Sequence, residues 1–181
     1  LRREEHNDNI HEVGHVMVDN LLHQVERLAS MDTSTLATHA YKLKNPRYGV
    51  VTMHRPSNVD DPQTLARLAT ALISIARDLP LAFPVHPRTR ANLAQNGILF
   101  GDNITLMAPQ RYMPFLHLWK DATVVLTDSG GLQEETTALG VPCITLRENT
   151  ERPVTVDEGT NELAGTDPER VVALAKGAIL G

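Results

Sequence analysis

Two kinds of segment alternate along this chain, and their order is the strongest constraint on its fold. Short apolar runs bounded by turn residues have the composition of buried strands, and the segments between them have the apolar period of amphipathic helices. Strands that alternate with helices build βαβ units, whose right-handed crossovers make the strands parallel. Strands are predicted at about 49–53, 81–85, 104–107, 122–127, 142–146 and 161–164, and helices at about 17–29, 62–78, 88–96, 112–119, 130–139 and 168–179.

The predicted fold is therefore a doubly wound, Rossmann-like α/β sheet of about six parallel strands. A length of 181 residues suits one such domain, so residues 1–181 are taken as a single unit. The chain begins at Leu1 rather than at a methionine, and its last helical pattern stops at Gly181. We expect a piece of a longer protein.

Composition excludes several classes of function. A formal net charge of -5 argues against nucleic-acid binding, which needs a basic face. No apolar run approaches the roughly 20 residues that span a membrane. The single cysteine, Cys143, lies in an apolar stretch, excludes an internal disulfide and fits a reducing compartment, so a cytoplasmic protein is predicted.

The segment at 127–135, Thr-Asp-Ser-Gly-Gly-Leu-Gln-Glu-Glu, follows the fourth predicted strand and opens a helix. Gly130 and Gly131 would let the backbone approach a phosphate closely, and Ser129 is a natural N-cap. The N–H groups of the first helical turn would then point at the anion, supported by the helix dipole. A plain strand-to-helix turn remains the alternative.

Other strand ends carry polar or basic residues too. His54 and Arg55 follow the first strand, His86 the second and Gln110 the third, while residues 147–152 follow the fifth. Ligands of doubly wound sheets collect at these carboxyl ends, so a nucleotide-phosphate site is predicted there. A lone histidine at a strand end is often only a cap; this alternative weighs more for His86 than for His54.

Helical geometry separates two neighbouring acids of the glycine-initiated helix. If Leu132, Thr136 and Leu139 form its buried stripe, Glu134 falls opposite them and is predicted to face solvent. Glu135 borders the stripe one turn beyond the phosphate-binding end, where its carboxylate could accept two hydrogen bonds from a ribose diol. A first-turn acid favoured by the helix dipole is the alternative.

The pattern His-Glu-x-x-His at 11–15 matches that of zinc peptidases. Gly14 and the preceding Asn-Asp-Asn cluster argue against the helix that this chemistry needs, so no metal site is predicted.

Together these segments resemble the UDP-N-acetylglucosamine 2-epimerase family. The resemblance is carried, in family order and over essentially the whole chain, by residues 13–19, 52–55, 85–87, 109–115, 128–135, 139–142, 147–153 and 159–161. It implies the C-terminal half of a GT-B-like fold, in which two Rossmann-like domains face each other across a cleft. The N-terminal domain, which holds the acids that move the C2 proton, would be absent here.

Members of the non-hydrolysing type interconvert UDP-N-acetylglucosamine and UDP-N-acetylmannosamine by eliminating and re-adding UDP, without a cofactor, and serve cell-envelope polysaccharide biosynthesis. The resemblance implies a UDP-sugar substrate and admits a homodimer. The residues carried over by motif are His54 at the catalytic site; Ser129, Gly130 and Gly131 at the diphosphate; Glu135 at the ribose; Arg152 on the phosphate or sugar side; and Gln110 and Phe115 beside the uracil.

The chain departs from the family where regulated members bind a second substrate molecule as activator. Many bacterial members read His-Arg-Arg-Glu where this chain has Ser57 in place of the glutamate. Arg55 and His86, the other residues of that second site, remain. Obligatory activation is therefore not expected. A hydrolysing epimerase is the nearer alternative function. A GT-B glycosyltransferase is more distant, because residues 142 and 143 lack the second glutamate of its usual pair. A non-catalytic nucleotide-binding module is the last alternative.

Overall fold

The structure is a computed structural model and describes residues 14–181. Its centre is a parallel sheet whose strands lie in the order β3-β2-β1-β4-β5-β6, so the predicted doubly wound fold is confirmed. The strands are β1 (Gly49–Thr52), β2 (Leu81–Pro84), β3 (Ile104–Met107), β4 (Val124–Thr127), β5 (Cys143–Thr145) and β6 (Asn161–Leu163). Each agrees with its predicted run to within two residues at either end.

Helices cover both faces of the sheet. They are α1 (Val16–Ala29), α2 (Ala37–Lys44), α3 (Pro56–Val59), α4 (Pro62–Ile75), α5 (Pro87–Gln95), α6 (Tyr112–Trp119), α7 (Gly130–Ala138), α8 (Val154–Asp157) and α9 (Pro168–Leu180). The sequence did not predict α2, α3 and α8, which are short. Among residues 14–181, no helix has both the length and the apolar character of a membrane span.

Local chemistry sets the ends of several helices. Asp61 and Asp167 accept hydrogen bonds from backbone N–H groups at the start of α4 and α9, and a proline occupies the first turn of each helix. At the end of α7, Gly140 adopts a φ of 70°, and its N–H donates to the carbonyl of Thr137. Such a left-handed residue stops a helix at little cost only when it lacks a Cβ.

The strands are apolar along most of their length because helices cover both faces. On one face, α4 and α9 pack on each other and on core residues such as Leu72, Phe83 and Val171. On the other, α1, α2 and α6 enclose a second cluster that includes Trp119 and Tyr48.

The chain direction across the sheet reverses between β1 and β4. These strands pair in register from Gly49 opposite Val124 to Thr52 opposite Thr127, so both end at the same level. Their following connections, which begin at Met53 and Asp128, therefore emerge side by side. This is the switch point where doubly wound sheets bind ligands.

Candidate functional site

A cavity of about 390 Å³ opens at this switch point, and we call it the main cavity. It is bounded by the ends of β1 and β2, the connection before α6, and the first turns of α6 and α7. Its lining residues are Thr52, Met53, His54, Pro84, His86, Pro109, Gln110, Tyr112, Phe115, Ser129, Gly131, Leu132 and Glu135.

His54 is held by the fully buried Asp128. The imidazole Nδ1 lies 2.9 Å from Asp128 Oδ1, and this hydrogen bond raises the pKa of His54 above its usual value. Because Asp128 occupies Nδ1, the imidazole has Nε2 left for a ligand. The pair can therefore present a histidine that is protonated more readily than usual near neutral pH.

Asp128 also organises the backbone around His54. Its Oδ2 accepts hydrogen bonds from the N–H groups of His54 and Arg55, at 3.0 and 2.9 Å, and lies 3.3 Å from Asn58 Nδ2. A carboxylate that accepts several N–H bonds can be buried without a large penalty. Asp128 thus ties the connection after β1 to the end of β4.

The start of α7 forms the adjacent wall. Ser129 is the N-cap residue, as predicted, but its side chain makes no capping hydrogen bond. Its hydroxyl and the first N–H groups of α7 are therefore available to an anion. Ser129 and Gly131 line the main cavity, whereas Gly130 does not; a Cβ on Gly130 would lie 3.7 Å from Glu151 Oε2.

Glu135 lines the cavity one turn further along α7. Burial raises the pKa of its carboxyl group, and the hydroxyl of Tyr112 donates a 3.2 Å hydrogen bond to Oε1. Desolvation also raises the pKa of Tyr112, to about 12, so this phenol remains a donor at neutral pH.

The prediction that Glu134 faces solvent is wrong. Its side chain is 9% exposed, and Oε1 lies 2.9 Å from His15 Nε2 and 3.0 Å from Arg152 Nε. The assumed single buried stripe fails because α1 packs on one side of α7 while α8 and β6 pack on others. Leu132, Gln133, Glu134 and Thr136 are consequently all buried.

The predicted uracil-flanking residues lie together on the far side of the cavity. Phe115 packs against the α1–α2–α6 core cluster, and the side-chain amide of Gln110 donates to the carbonyl of Ala108 at 2.8 Å. His86 also lines the cavity, where it is the N-cap of α5 and its Nδ1 accepts from the N–H of Arg88. His86 therefore both caps a helix and lines the main cavity, so it fits both of the roles between which the sequence did not decide.

Two predicted basic residues lie outside the main cavity. Arg152 is paired with Glu134, and Arg55 lines a neighbouring polar cavity of about 360 Å³ together with Arg147. Glu151 accepts two hydrogen bonds from Arg147, which lower its pKa to about 2.

The peptidase-like pattern lies only partly within the described residues, because His11 and Glu12 precede them. His15 is the N-cap of α1, and its Nδ1 accepts from the N–H of Val18. Within residues 14–181, no three His, Cys, Asp or Glu side chains cluster as metal ligands would.

Sequence reasoning missed the roles of Asp128 and Tyr112. The sequence places Asp128 in the glycine motif without indicating a partner, although this residue directly follows β4 and so lies beside the end of β1. Tyr112 and Phe115 are three residues apart on α6, which places them on one helical face. That spacing was a usable signal for Tyr112.

Comparisons with known proteins show which family this chain resembles. The family model for UDP-N-acetylglucosamine 2-epimerase matches residues 1–180. A UDP-N-acetylglucosamine 2-epimerase from Methanococcus maripaludis is 39% identical over 171 residues, covering 91% of this chain and 46% of that protein. One from Methanocaldococcus jannaschii is 35% identical over 178 residues, covering 95% of this chain and 48% of that protein. The chain thus spans about half the length of these relatives.

Solved structures agree in fold. The Methanocaldococcus jannaschii UDP-GlcNAc 2-epimerase in complex with UDP-GlcNAc and UDP matches with a TM-score of 0.87 and 34% identity, over 99% of this chain and 51% of that one. The Neisseria meningitidis UDP-GlcNAc 2-epimerase bound to UDP-GlcNAc matches with a TM-score of 0.70 and 27% identity, over 86% of this chain and 43% of that one. These neighbours agree with the expected Rossmann-like half of a GT-B-like fold. The chain belongs to the UDP-N-acetylglucosamine 2-epimerase family.

Proposed function

We propose that this chain is the UDP-binding domain of an enzyme that interconverts UDP-N-acetylglucosamine and UDP-N-acetylmannosamine. One observation carries the proposal: the main cavity places the His54–Asp128 pair beside the glycine-rich start of α7. Membership of the family and the match to a relative in complex with UDP-GlcNAc and UDP support the choice of ligand.

The proposed ligand contacts follow the walls of the main cavity and the adjoining start of α7, where Gly130 lies. Ser129, Gly130 and Gly131 hold the diphosphate at the helix start, where unpaired N–H groups and the helix dipole favour an anion. Glu135 accepts hydrogen bonds from the ribose hydroxyls. Gln110 and Phe115 flank the uracil on the opposite wall.

His54 acts on the leaving group. Elimination removes the C2 proton and breaks the bond between C1 and the diphosphate oxygen, so negative charge develops on that oxygen. With its pKa raised by Asp128, His54 donates a hydrogen bond or proton from Nε2 to this charge. Re-addition of UDP to the glycal intermediate, with the proton delivered to the opposite face of C2, completes the epimerisation.

Arg152 is proposed to serve the phosphate or sugar side from outside the cavity. Among residues 14–181, Arg152 pairs through its Nε with Glu134, and we propose that the terminal nitrogens of the guanidinium bind the anion. Glu134 would then orient Arg152 rather than bind the ligand itself.

Partners of this domain are proposed on the same basis. The acids that move the C2 proton belong to the rest of the protein, which faces the cavity across a cleft, and a homodimer is compatible with this arrangement. The buried thiol of Cys143 fits a reducing compartment such as the cytoplasm. No cofactor is required for elimination and re-addition.

Product analysis with UDP-N-acetylglucosamine and the full-length protein tests the proposal. UDP-N-acetylmannosamine is the expected product. Free N-acetylmannosamine with UDP would indicate a hydrolysing epimerase, and a glycosylated acceptor would indicate a GT-B glycosyltransferase. UDP binding without any product would indicate a non-catalytic module.

The second site that regulated relatives build at the positions of Arg55 and His86 is proposed not to impose obligatory activation here, because Ser57 stands where those relatives have a glutamate. The reverse reaction should therefore proceed from UDP-N-acetylmannosamine alone, followed as formation of UDP-N-acetylglucosamine. A lag that disappears when UDP-N-acetylglucosamine is added would contradict this expectation.

A further inference from the structure

Tyr112 is the cavity residue whose hydroxyl contacts the proposed ribose acceptor, Glu135. It is the first residue of α6, its side chain is 40% exposed, and it lines the main cavity with Phe115 one turn later. Its hydroxyl oxygen lies 3.2 Å from Glu135 Oε1 on the facing helix α7. The hydrogen bond therefore joins the two helices across the wall of the site.

This hydrogen bond is made to the carboxylate of Glu135, whose ionised form is disfavoured by its surroundings. Burial raises the pKa of Glu135, and the negative charge of Glu134 raises it further, whereas the Tyr112 hydroxyl lowers it. His54 and His86 are the other titratable groups that line the same cavity. Because the donor bonds to the ionised form, Tyr112 keeps Glu135 charged at lower pH than burial alone would allow.

The geometry also limits where the carboxylate can point. An ionised carboxylate has about four lone-pair positions, and the Tyr112 hydroxyl uses one on Oε1. A fixed donor on one oxygen restricts the rotamers of Glu135 and leaves Oε2 to accept from a ligand. A vicinal diol, with two adjacent hydroxyl donors, fits such a fixed acceptor.

We propose that Tyr112 is a positioning residue that holds Glu135 as the acceptor for the ribose diol and so contributes to selection of a ribonucleotide over a 2′-deoxyribonucleotide. This inference rests on the proposed function, in which Glu135 contacts the ribose. Helix α6 then acts on two parts of the nucleoside. Phe115 contacts the base, and Tyr112 positions the carboxylate of Glu135 that binds the sugar.

Titration of UDP and 2′-deoxy-UDP into the full-length protein and its Tyr112→Phe variant tests the inference. Loss of a partly exposed hydrogen bond to a charged group should weaken UDP binding by about threefold to tenfold. Binding of 2′-deoxy-UDP should weaken less, so that the preference for UDP narrows.

The pH profile separates positioning from packing. Removal of the donor raises the pKa of Glu135, so the loss of UDP affinity on acidification should begin at higher pH in Tyr112→Phe than in the unaltered protein. The ligand phosphate and His54 titrate in both proteins, and the comparison therefore isolates Glu135. If Tyr112 served only in packing, the pH profile of UDP affinity would be the same in Tyr112→Phe and in the unaltered protein, because phenylalanine preserves the ring.

Glu135→Gln provides the coupled test. Tyr112→Phe should have little further effect on UDP affinity in the Glu135→Gln background, since the hydroxyl acts through the carboxylate. Tyr41→Phe is the matched control: its buried hydroxyl, on α2, has no hydrogen-bond partner among the described residues, and its loss should leave UDP affinity unchanged.

Two results overturn the inference while the proposed function stands: an unchanged UDP affinity and pH profile in Tyr112→Phe, or a full additional loss when it is combined with Glu135→Gln. Failure of the unaltered protein to bind UDP would overturn the proposed function as well, so the two failures are distinguishable.

Discussion

At the scale of single residues, Asp128 controls both the orientation and the charge of His54. Asp128→Asn removes the negative charge from the 2.9 Å contact with Nδ1, so the pKa of His54 should fall. The protonated imidazole is then lost at lower pH, so the alkaline limb of the turnover profile should move to lower pH. A proton NMR titration of His54, together with turnover of the full-length enzyme, measures both effects.

His54→Ala is the control for this substitution. In that background Asp128→Asn should not move the profile further, because the titrating group has been removed. An unmoved profile after Asp128→Asn alone would mean that another group controls turnover.

Glu134 is a buried acid whose contribution to stability depends on its partners. Glu134→Ala removes the acceptor shared by His15 and Arg152 and leaves space inside a packed helix interface. We expect a loss of about 1–3 kcal/mol in the free energy of unfolding and weaker UDP binding through Arg152. Glu26→Ala, at an exposed position on α1, is the matched control and should change stability by less than about 0.5 kcal/mol. Denaturant titration of both variants measures the difference, and equal stabilities would show that the Glu134 contacts contribute nothing.

At the scale of elements, alanine substitutions at two glycines separate the effect of close packing on stability from the effect of helix propensity. A Cβ on Gly159 would lie 2.4 Å from the carbonyl oxygen of Thr155 and 2.6 Å from Thr137 Cγ2, where α8 meets α7. Gly159→Ala should therefore cost about 1–3 kcal/mol of stability. Gly177, inside α9, has open space around its Cα, and Gly177→Ala should stabilise by up to about 1 kcal/mol. Thermal unfolding of the two variants checks the opposite signs, and a stabilised Gly159→Ala would show that the α7–α8 junction adjusts freely.

At the scale of the whole molecule, residues 14–181 form a six-stranded sheet with a core on each face, and the proposed active site needs reacting groups from a second domain as well. We expect the isolated 181-residue chain to unfold cooperatively and to bind UDP, yet not to epimerise UDP-N-acetylglucosamine. Bringing reacting groups together from two domains supplies several kcal/mol of barrier lowering, about 7–11 kcal/mol in well-oriented systems. Calorimetry and product analysis test this expectation, and measurable epimerisation by the isolated chain would contradict it.

The fold class and most helices and strands of this protein follow from its amino-acid sequence alone. Apolar runs and the apolar period of amphipathic helices are local signals, and they predict six strands and six helices. The helices α2, α3 and α8 are too short for a clear period. The strand-end rule also predicts that His54, His86, Gln110 and Ser129 lie together, and all four line the main cavity.

The pairing of side chains between elements, in and around that cavity, follows only from the packing of the elements. The burial of Glu134 depends on the packing of α1 against α7. Its partner His15 is distant from it in sequence, and its partner Arg152 lies on another loop. Asp128 reaches His54 because β1 and β4 are neighbours in register, and Tyr112 reaches Glu135 because α6 faces α7. The period of apolar residues along the sequence indicates which face of a helix or strand is apolar. Hydrogen bonds between elements depend instead on distances that are set by how the elements pack.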